Sequence, residues 1–380
     1  MKVVVLGAGL QGCACAYDLL QNPAVTQVTL ADLRPAALPP FLAGDWGGRL
    51  RPIQLDVTDG TAVRQTLRGN AAVMSAIPYY YNEPMAAAAV DVGCHFSDLG
   101  GNTEIVFAQK KLHQEALSKG ISVVPDCGLA PGMVNILAAE GIRRLDRAST
   151  VKVYVGGLPQ NPEPPLNYQI VYSLEGALDY YTTPSWVLRG GKPVQVDALS
   201  DLESVEFPRP VGTLEAFHTG GGISTLPFAY EGKVDVMEYK TLRYPGHASV
   251  MRPIRELGLL DLQPIEVKGQ SVVPRDFFIA AVRPKLYKPQ GRDLVALQVQ
   301  VTGQQDGKSA RVGFRLIDRY DAEHGISAMM RTTGYSLSIT GQMQADGRVT
   351  AKGVHTPDEA IPFQPYISEL AKRGIRIEEL

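Results

Sequence analysis

Three glycines near the start of the chain have the spacing of a dinucleotide-binding loop. Gly7, Gly9 and Gly12 form a Gly-x-Gly-x-x-Gly pattern, with Leu10 and Gln11 between the last two. In such a loop the first glycine permits a tight turn, the second lets backbone amides approach a pyrophosphate, and the third lets helix and strand pack closely. The sequence therefore predicts that these five residues bind a dinucleotide.

The residues around this loop support the prediction and indicate NAD. Residues 3–6 form a continuous apolar run, as a buried parallel strand requires, and lead directly into the loop. A second strand predicted at 27–31 ends on Asp32, twenty residues after Gly12. A carboxylate there accepts hydrogen bonds from the adenosine ribose hydroxyls and repels a 2′-phosphate, so NAD is favoured over NADP. Arg34 leaves NADP open, because it could pair with that phosphate.

Strand-like and helix-length segments then alternate, which predicts an α/β fold with a Rossmann-type doubly wound parallel sheet. Strands are predicted at 52–55, 71–75, 95–97 and 121–124, and helices at 61–67, 84–92 and 104–118. Ligands of such sheets lie at the carboxyl ends of the strands, so the residues after each strand are site candidates. For the cofactor these are Asp56, Val57, Ser75, Ala76, Ile77 and Pro78, and beside the nicotinamide they are Asp98 and Asp126.

The pattern changes after residue 135. Longer strands are predicted at 151–155, 168–172, 294–301 and 310–316, with a hairpin turn at 304–307. These segments predict an open mixed or antiparallel sheet. Helices are predicted again from Ser327 to about Gln344 and from Pro365 to Arg373, and a tail of this type packs back on the first domain.

The composition indicates a globular protein with a small-molecule ligand. The chain has 380 residues, of which 45% are hydrophobic and 20% charged, and a formal net charge of −2. That length predicts two domains. The sequence has no block of lysines and arginines, which argues against nucleic acid or an anionic membrane as a partner.

Other features of the sequence favour a cytoplasmic protein without a metal centre. No signal-peptide pattern precedes the first strand, and no apolar run reaches 18 residues. Cys13, Cys15, Cys94 and Cys127 lack disulfide-like or zinc-like spacing, so free, buried thiols are expected.

Several separate segments resemble the saccharopine dehydrogenase family. They are Gly7–Gly12, Leu55–Asp59, Ser75–Tyr79, Pro125–Met133 and Arg331–Tyr335. Two others, His95–Asn102 and Leu214–Leu226, are more similar to the L-lysine 6-dehydrogenase branch than to the saccharopine reductases.

The resemblance implies two domains with a substrate cleft between them. One is a Rossmann domain assembled from both chain ends, residues 1–130 completed by 330–380. The other is a central α+β domain, residues 131–329, which carries the mixed sheet and the contacts of a homodimer or homotetramer. The resemblance also implies hydride transfer to NAD from a carbon that bears an amine.

Oxidation of an amine requires its neutral form, so a general base is expected. An unperturbed lysine amine has a pKa of about 10.4, and a nearby acceptor in a dry site would promote its deprotonation. Asp98 and Asp126 are the first candidates, although either could instead cap a glycine-rich turn. His247 is the best-placed histidine of the second domain, although a lone loop histidine is more often structural.

An arginine is expected to hold the substrate carboxylate, because its planar fork makes two charge-assisted bonds. Arg243, followed by Tyr244, is the candidate, with Arg331 as the alternative. Thr332 and Thr333 would bring hydroxyls to the cleft, or serve as ordinary caps.

A departure from the saccharopine reductases suggests the substrate. In the segment that matches Tyr172–Gly176 those enzymes carry an arginine that holds a substrate carboxylate, whereas this chain has Glu175. An acidic side chain there suits a substrate with a free ammonium end. Alternatively, Glu175 is a helix-start acid that follows an N-cap at Ser173.

The sequence therefore predicts an NAD-dependent dehydrogenase that oxidises the ε-amino carbon of L-lysine to the semialdehyde imine and releases ammonia. Two alternatives remain: a saccharopine or carboxyspermidine type of reductase, and a catalytically silent homologue that binds NAD.

Overall fold

The computed structural model describes residues 1–34, 38–171 and 173–380. The strands are β1 Lys2–Leu6, β2 Gln27–Asp32, β3 Leu50–Gln54, β4 Ala72–Ser75, β5 His95–Asp98, β6 Ser122–Val124, β7 Arg147–Pro159, β8 Ser185–Arg189, β9 Lys192–Val196, β10 Glu203–Glu206, β11 Thr213–His218, β12 Val236–Arg243, β13 Ile265–Val267, β14 Gln270–Val272, β15 Asp293–Gln305, β16 Lys308–Arg319, β17 Gly353–Val354 and β18 Glu378–Glu379.

The helices alternate with the strands in the first part of the chain. They are α1 Leu10–Gln21, α2 Gly60–Leu67, α3 Asn82–Val92, α4 Thr103–Lys110, α5 His113–Ser118, α6 Met133–Arg143, α7 Leu174–Thr182, α8 Leu226–Ala229, α9 His247–Glu256, α10 Pro274–Leu286, α11 Ala328–Ala345, α12 Pro357–Ala360 and α13 Phe363–Lys372, with a 3₁₀ helix at Tyr79–Tyr81. No helix in the described part of the chain is long and apolar enough to cross a membrane.

Seven parallel strands form the first sheet, in the order β17-β6-β5-β4-β1-β2-β3. The apolar runs of β1 and β4 are buried on both faces, as a parallel sheet covered by helices requires. Because β17 comes from the C-terminal part of the chain and pairs with β6, both ends of the sequence contribute to this sheet. The predicted Rossmann-type doubly wound fold is confirmed.

The second sheet is mixed and has the main order β10-β11-β12-β7-β15-β16-β18, with β8 and β9 added beside β12. β12 and β7 are parallel, whereas the other pairs are antiparallel. The predicted hairpin turn joins β15 and β16 through Asp306 and Gly307, which both have positive φ angles. The open mixed sheet is therefore also confirmed, while the domain boundaries 1–130, 131–329 and 330–380 remain predictions.

Helix α11 joins the two cores, because it packs on β4 and β5 of the first sheet and on β15 and β16 of the second. Two glycines permit this close approach. A Cβ at Gly334 would lie 2.7 Å from the Gln11 carbonyl oxygen of α1, and a Cβ at Gly341 would lie 2.3 Å from the sulfur of Met74 in β4.

Two local predictions were wrong. The strand predicted at 168–172 is not formed over 168–171, and Tyr172 lies outside the described residues. Instead, Tyr168 packs in an apolar cluster with Leu286 of α10, and Leu286 accepts a backbone hydrogen bond from Ile170. The helix predicted at 104–118 is two helices, α4 and α5.

The four cysteines are free and buried, as the sequence predicted.

Candidate active site

The residues predicted to bind the cofactor lie along one edge of the parallel sheet. Strands β4, β1, β2 and β3 are neighbours and point the same way, so the segments after them lie side by side. These segments contain the glycine loop, Asp32, the pair Asp56 and Val57, and the run Ser75, Ala76, Ile77 and Pro78. The structure thus brings the predicted cofactor residues together.

The three loop glycines have the geometry that a pyrophosphate site requires. Gly7 has a φ of +94°, and a Cβ there would lie 2.7 Å from the Ala76 carbonyl oxygen. A Cβ on Gly12 would lie 1.8 Å from the Gly7 carbonyl oxygen, so only glycine fits. Gly9 precedes the first turn of α1, and no atom of a more distant described residue lies within 4 Å of its Cβ position. That open space at a helix N-terminus fits a dinucleotide phosphate.

Asp32 is the last residue of β2 and lies beside the glycine loop. Its Oδ2 accepts a hydrogen bond from the Ala8 amide at 2.8 Å, and its Oδ1 accepts one from the Arg34 amide at 2.8 Å. The carboxylate is therefore held beside the glycine loop, where a ribose would lie. The side chain of Arg34 is exposed.

The other predicted cofactor residues have mainly local contacts. Asp56 accepts hydrogen bonds from the amide and hydroxyl of Thr58, which lower the pKa of its carboxyl. Ser75 is buried, and its hydroxyl donates to Asn82 Oδ1 at 2.8 Å. Leu10 is exposed beside the loop, whereas Gln11 Oε1 is buried without a hydrogen-bond partner in the described structure.

A cavity of about 200 Å³ lies between this edge and the mixed sheet. Its walls are Gln11, Leu99, Gly100, Gly128, Leu129, Ala130, Val155, Gly157, Tyr180, Gly220, Gly222, Tyr239, Thr241, Arg243, Met329 and Thr333. Three larger grooves, of about 300, 490 and 890 Å³, contain no residue of the glycine loop or of the segments that follow β1, β4 and β5. The smaller cavity is the candidate substrate site, because it is the one that adjoins the predicted nicotinamide position.

Strand β12 supplies the polar wall of this cavity. Tyr239, Thr241 and Arg243 are two residues apart, so their side chains share one face of the strand. The hydroxyls of Thr241 and Thr219 are hydrogen-bonded at 2.7 Å. The sequence interpretation identified Arg243 but missed Tyr239, Thr241 and Tyr180. The two-residue spacing back from Arg243 along β12 was the available signal for Thr241 and Tyr239.

Asp98 and Asp126 form a buried pair behind the cavity wall. Asp98 accepts hydrogen bonds from the amides of Gly100 and Asp126 and from Gln109 Nε2, at 2.7, 3.1 and 2.7 Å. Asp126 Oδ1 accepts one from the Gly101 amide at 3.3 Å, whereas its Oδ2 has no hydrogen-bond partner among the described residues. Neither carboxylate lines the cavity, because both are fully covered.

Burial changes the acidity of both carboxyls. It raises the pKa of Asp98 to about 6, against the effect of the hydrogen bonds that Asp98 accepts. Burial and the negative charge of Asp98 raise the pKa of Asp126 to about 7. A Cβ at Gly100 would lie 1.8 Å from Asp126 Oδ1, so glycine keeps the wall between Asp126 and the cavity thin.

His247 does not line the cavity either. It is buried, its Nδ1 lies 3.0 Å from the Leu166 carbonyl oxygen, and its Nε2 lies 3.0 Å from the Tyr181 hydroxyl. Burial and the positive charge of Arg243 lower the pKa of His247 to about 3. Tyr244 donates a hydrogen bond to the Pro159 carbonyl and packs beside an apolar cluster of the mixed sheet.

The structure keeps three further candidates away from the cavity. Glu175 is exposed in the first turn of α7, where it pairs with Arg283 at 2.7 Å, and Ser173 caps that helix. Thr332 donates to the Ala328 carbonyl one turn earlier in α11. Arg331 pairs with Asp318 at 2.8 Å. Thr333 is the member of the Thr332–Thr333 pair that reaches the cavity. The exposed position of Glu175 in the first turn of α7, after the Ser173 cap, agrees with the alternative interpretation that Glu175 is a helix-start acid.

Comparisons with known proteins match the whole chain. Residues 3–124 match the family model "Saccharopine dehydrogenase NADP binding domain", and residues 128–375 match "Saccharopine dehydrogenase C-terminal domain". The chain is 24% identical to the saccharopine dehydrogenase [NADP(+), L-glutamate-forming] of Saccharomyces cerevisiae, over 100% of this chain and 98% of that one. It is 20% identical to the carboxyaminopropylagmatine dehydrogenase of Synechocystis sp., over 100% and 97%.

A solved structure has the same fold. It is the apo saccharopine dehydrogenase (L-Glu forming) from Saccharomyces cerevisiae, with a TM-score of 0.81 and 22% identity over 100% of this chain and 99% of that one.

Proposed function

Because this chain belongs to the saccharopine dehydrogenase family, we propose that it oxidises the ε-amino carbon of L-lysine with NAD to an imine, which water then hydrolyses to the semialdehyde and ammonia. An oxidoreductase that acts on an amino-acid substrate with a pyridine nucleotide follows from the family itself. Lysine as the substrate and NAD as the cofactor are the proposal.

The charge of the cavity wall is the observation that carries the choice of substrate. Within the described ranges, Arg243 is the one cationic side chain that lines the cavity. An arginine binds one carboxylate with two charge-assisted bonds, which fits lysine. Saccharopine carries several carboxylates, and each would need a partner in a partly dry site.

Proton removal from the substrate is assigned to the buried aspartate pair. Asp126 lies directly behind Gly100 and Gly101, its Oδ2 lacks a hydrogen-bond partner in the described chain, and its raised pKa makes it an effective proton acceptor near neutral pH. We assign Asp126 as the proton acceptor, reached by a shift of the glycine wall or through water. Asp98 fixes the loop and raises the pKa of Asp126 by its charge.

The glycine loop, Asp32 and the segment Ser75–Pro78 would hold the cofactor. When bound, the nicotinamide would accept the hydride of the amine-bearing carbon. Asp32 supports NAD, because its carboxylate is fixed beside the loop and opposes a 2′-phosphate. The matched family model and the yeast relative are described as NADP-binding, so cofactor choice needs its own measurement.

A substrate screen tests the proposed activity. The purified protein is assayed for reduction of NAD and NADP with lysine, ornithine and saccharopine. We expect the highest specificity constant with lysine and NAD, and a reverse reaction that depends on ammonia. Saccharopine as the best substrate would overturn the proposal in favour of a saccharopine reductase, which the match to the yeast enzyme over both full lengths favours as the second candidate.

Replacement of Asp32 tests the cofactor separately. We expect wild type to bind NAD more tightly than NADP in a fluorescence titration, and Asp32→Gly to narrow or reverse that ratio because the charge repulsion is removed. Since Asp32 also anchors the Ala8 amide, both affinities should fall, and the ratio is the informative quantity. Asp235→Gly, at an exposed position before β12, should leave the ratio unchanged. Tighter NADP binding by wild type would contradict the assignment of NAD.

A further inference from the structure

Arg243 is held on several sides by neighbouring groups. Its Nε donates a hydrogen bond to the Tyr181 hydroxyl at 3.1 Å, and its Nη1 donates to the Leu242 carbonyl at 2.9 Å. Its guanidinium carbon lies 4.9 Å from the centre of the Tyr168 ring and 6.0 Å from that of Tyr181. The side chain is 3% exposed, so its orientation depends on these contacts.

The contacts of Tyr181 and His247 determine which atom is the donor and which is the acceptor in each of these hydrogen bonds. A carbonyl oxygen can only accept, so Nδ1 of His247 carries the proton and donates to Leu166. The neutral ring then has a lone pair on Nε2, which accepts the proton of the Tyr181 hydroxyl. The Tyr181 oxygen is thereby left as an acceptor for Arg243 Nε.

The backbone around His247 fixes its position independently of Arg243. Glu215 accepts hydrogen bonds from the amides of Gly246 and Ala248, on either side of His247. The imidazole also stacks on Phe217, with 6.3 Å between ring centres and 6° between ring planes. His247 is therefore a rigid support at the end of the chain of hydrogen bonds.

We propose that Tyr181 and His247 are positioning residues that fix Arg243 as the receptor for the substrate carboxylate, and so select an amino acid over the corresponding simple amine. This inference rests on the proposed function, because it assumes an amino-acid substrate in the cavity. It gives His247 a role in binding rather than in proton transfer. Its buried site and the engagement of both ring nitrogens support that role.

Four variants test the proposal. Tyr181→Phe and His247→Leu break the chain of hydrogen bonds, whereas His247→Gln keeps one donor and one acceptor. His324→Gln, at an exposed histidine, is the matched control. With lysine we expect KM to rise roughly tenfold in Tyr181→Phe and His247→Leu, with kcat changed less than threefold. His247→Gln should recover most of the loss, and His324→Gln should resemble wild type.

A decarboxylated ligand identifies the group that Arg243 holds. Cadaverine is lysine without its carboxylate, so its inhibition constant against lysine should shift less than threefold in Tyr181→Phe and His247→Leu. Equal weakening of lysine and cadaverine would overturn the proposal, and so would a fall in kcat at unchanged KM. Thermal unfolding of each variant identifies a general loss of folding, and failure of His247→Gln to rescue a stably folded protein would also count against the proposal.

Failure of the proposed function gives a different result. If wild type oxidises saccharopine and not lysine, the activity is corrected, and the same variants are assayed with saccharopine, of which Arg243 would hold one carboxylate. If wild type oxidises neither, calorimetric affinities of the cofactor-loaded protein for lysine and cadaverine replace KM and the inhibition constant.

Discussion

Asp98 and Asp126 show how the ends of two neighbouring strands, β5 and β6, can place a carboxylate of altered acidity near a site without exposing it. Asp98 receives three hydrogen bonds, whereas Asp126 is opposed in its pKa rise only by the Gly101 amide and the neighbouring Ser224 hydroxyl, and it has a positive φ angle of 62°. Burial therefore affects Asp126 more strongly, and the charge of Asp98 adds to the effect. A strained backbone and an incompletely paired buried acid occur together here, as is common at functional sites.

The raised pKa of Asp126 predicts a particular dependence of stability on pH. The folded chain holds the proton up to about pH 7, whereas an unfolded aspartate loses it near 3.9. The stabilisation by this group is therefore complete below about pH 4 and is lost as pH rises to about 7. Asp126→Asn cannot ionise, so its free energy of unfolding relative to wild type should increase between pH 5 and pH 8.

Urea unfolding at several pH values measures this difference. Asp235→Asn, at a mostly exposed position, should show no such trend. In activity assays, wild type should lose kcat/KM as the pH falls below about 7, and Asp126→Asn should be nearly inactive at every pH. An unchanged acid limb in Asp126→Asn would mean that another group accepts the proton.

At the scale of elements, α11 holds both sheets and the first helix in place. It is buried along most of its length, and its polar side chains are hydrogen-bonded: Ser336 to the Gly128 carbonyl, Ser338 to Asp18, and Gln344 to the carbonyls of Phe96 and Ser122. The helix can therefore pass between two cores with most of these buried polar groups satisfied, although Gln344 Oε1 has no hydrogen-bond partner among the described residues.

Gly334→Ala tests the contact between α11 and α1. The added Cβ would lie 2.7 Å from the Gln11 carbonyl oxygen and 2.8 Å from the Cβ of Ala14, so one helix must move. We expect a loss of about 1–3 kcal/mol in the free energy of unfolding and weaker cofactor binding, because α1 begins at the glycine loop.

Gly176→Ala in α7 is the matched control for that helix glycine. Among the described residues, a Cβ there meets only Ser173 atoms at 3.7 Å, so alanine should stabilise the helix by roughly 0.5–1 kcal/mol. Equal effects of the two substitutions in denaturant unfolding would show that the crossing of α1 and α11 tolerates a methyl group.

At the scale of the whole molecule, the C-terminal residues connect the two sheets. Tyr366 of α13 is fully buried, and its hydroxyl lies 2.7 Å from that of Ser336 in α11. Arg373 donates two hydrogen bonds to Asp18 of α1, at 2.6 and 2.9 Å. Strand β18 then pairs with β16 of the mixed sheet. These C-terminal residues therefore link helices α1 and α11 to the mixed sheet.

Deletion from Pro357 onward should therefore lower the free energy of unfolding by several kcal/mol. The loss combines the burial of Tyr366 and Leu370, roughly 1.5–3 kcal/mol each, with a buried Asp18 left without Arg373. Arg373→Gln should reproduce part of the loss in a full-length chain, and deletion of residues 378–380 should have a small effect. A deleted chain that unfolds like wild type and binds NAD equally well would show that the tail is peripheral.

The local and periodic features of this protein could be predicted from the sequence. The glycine loop, Asp32 and strands β1 to β6 follow from residue spacing, because turn chemistry and buried apolar runs act over a few neighbouring residues, whereas the short strand β17 was not predicted. The order of those strands then brings the predicted cofactor residues to one edge. The polar wall of the cavity on β12 was predicted only in part, since Arg243 was identified while Tyr239 and Thr241 were missed.

The environment of each candidate side chain was decided by packing between distant segments. Arg243 meets Tyr181, which lies 62 residues earlier, and His247 bonds to Leu166, which lies 81 residues earlier. Nothing in the local pattern around Glu175 indicated that it would pair with Arg283 of α10, 108 residues away, instead of facing the cavity. The burial that raises the pKa of Asp126 likewise exists only in the folded chain, because water is excluded only where separate elements close around the carboxyl.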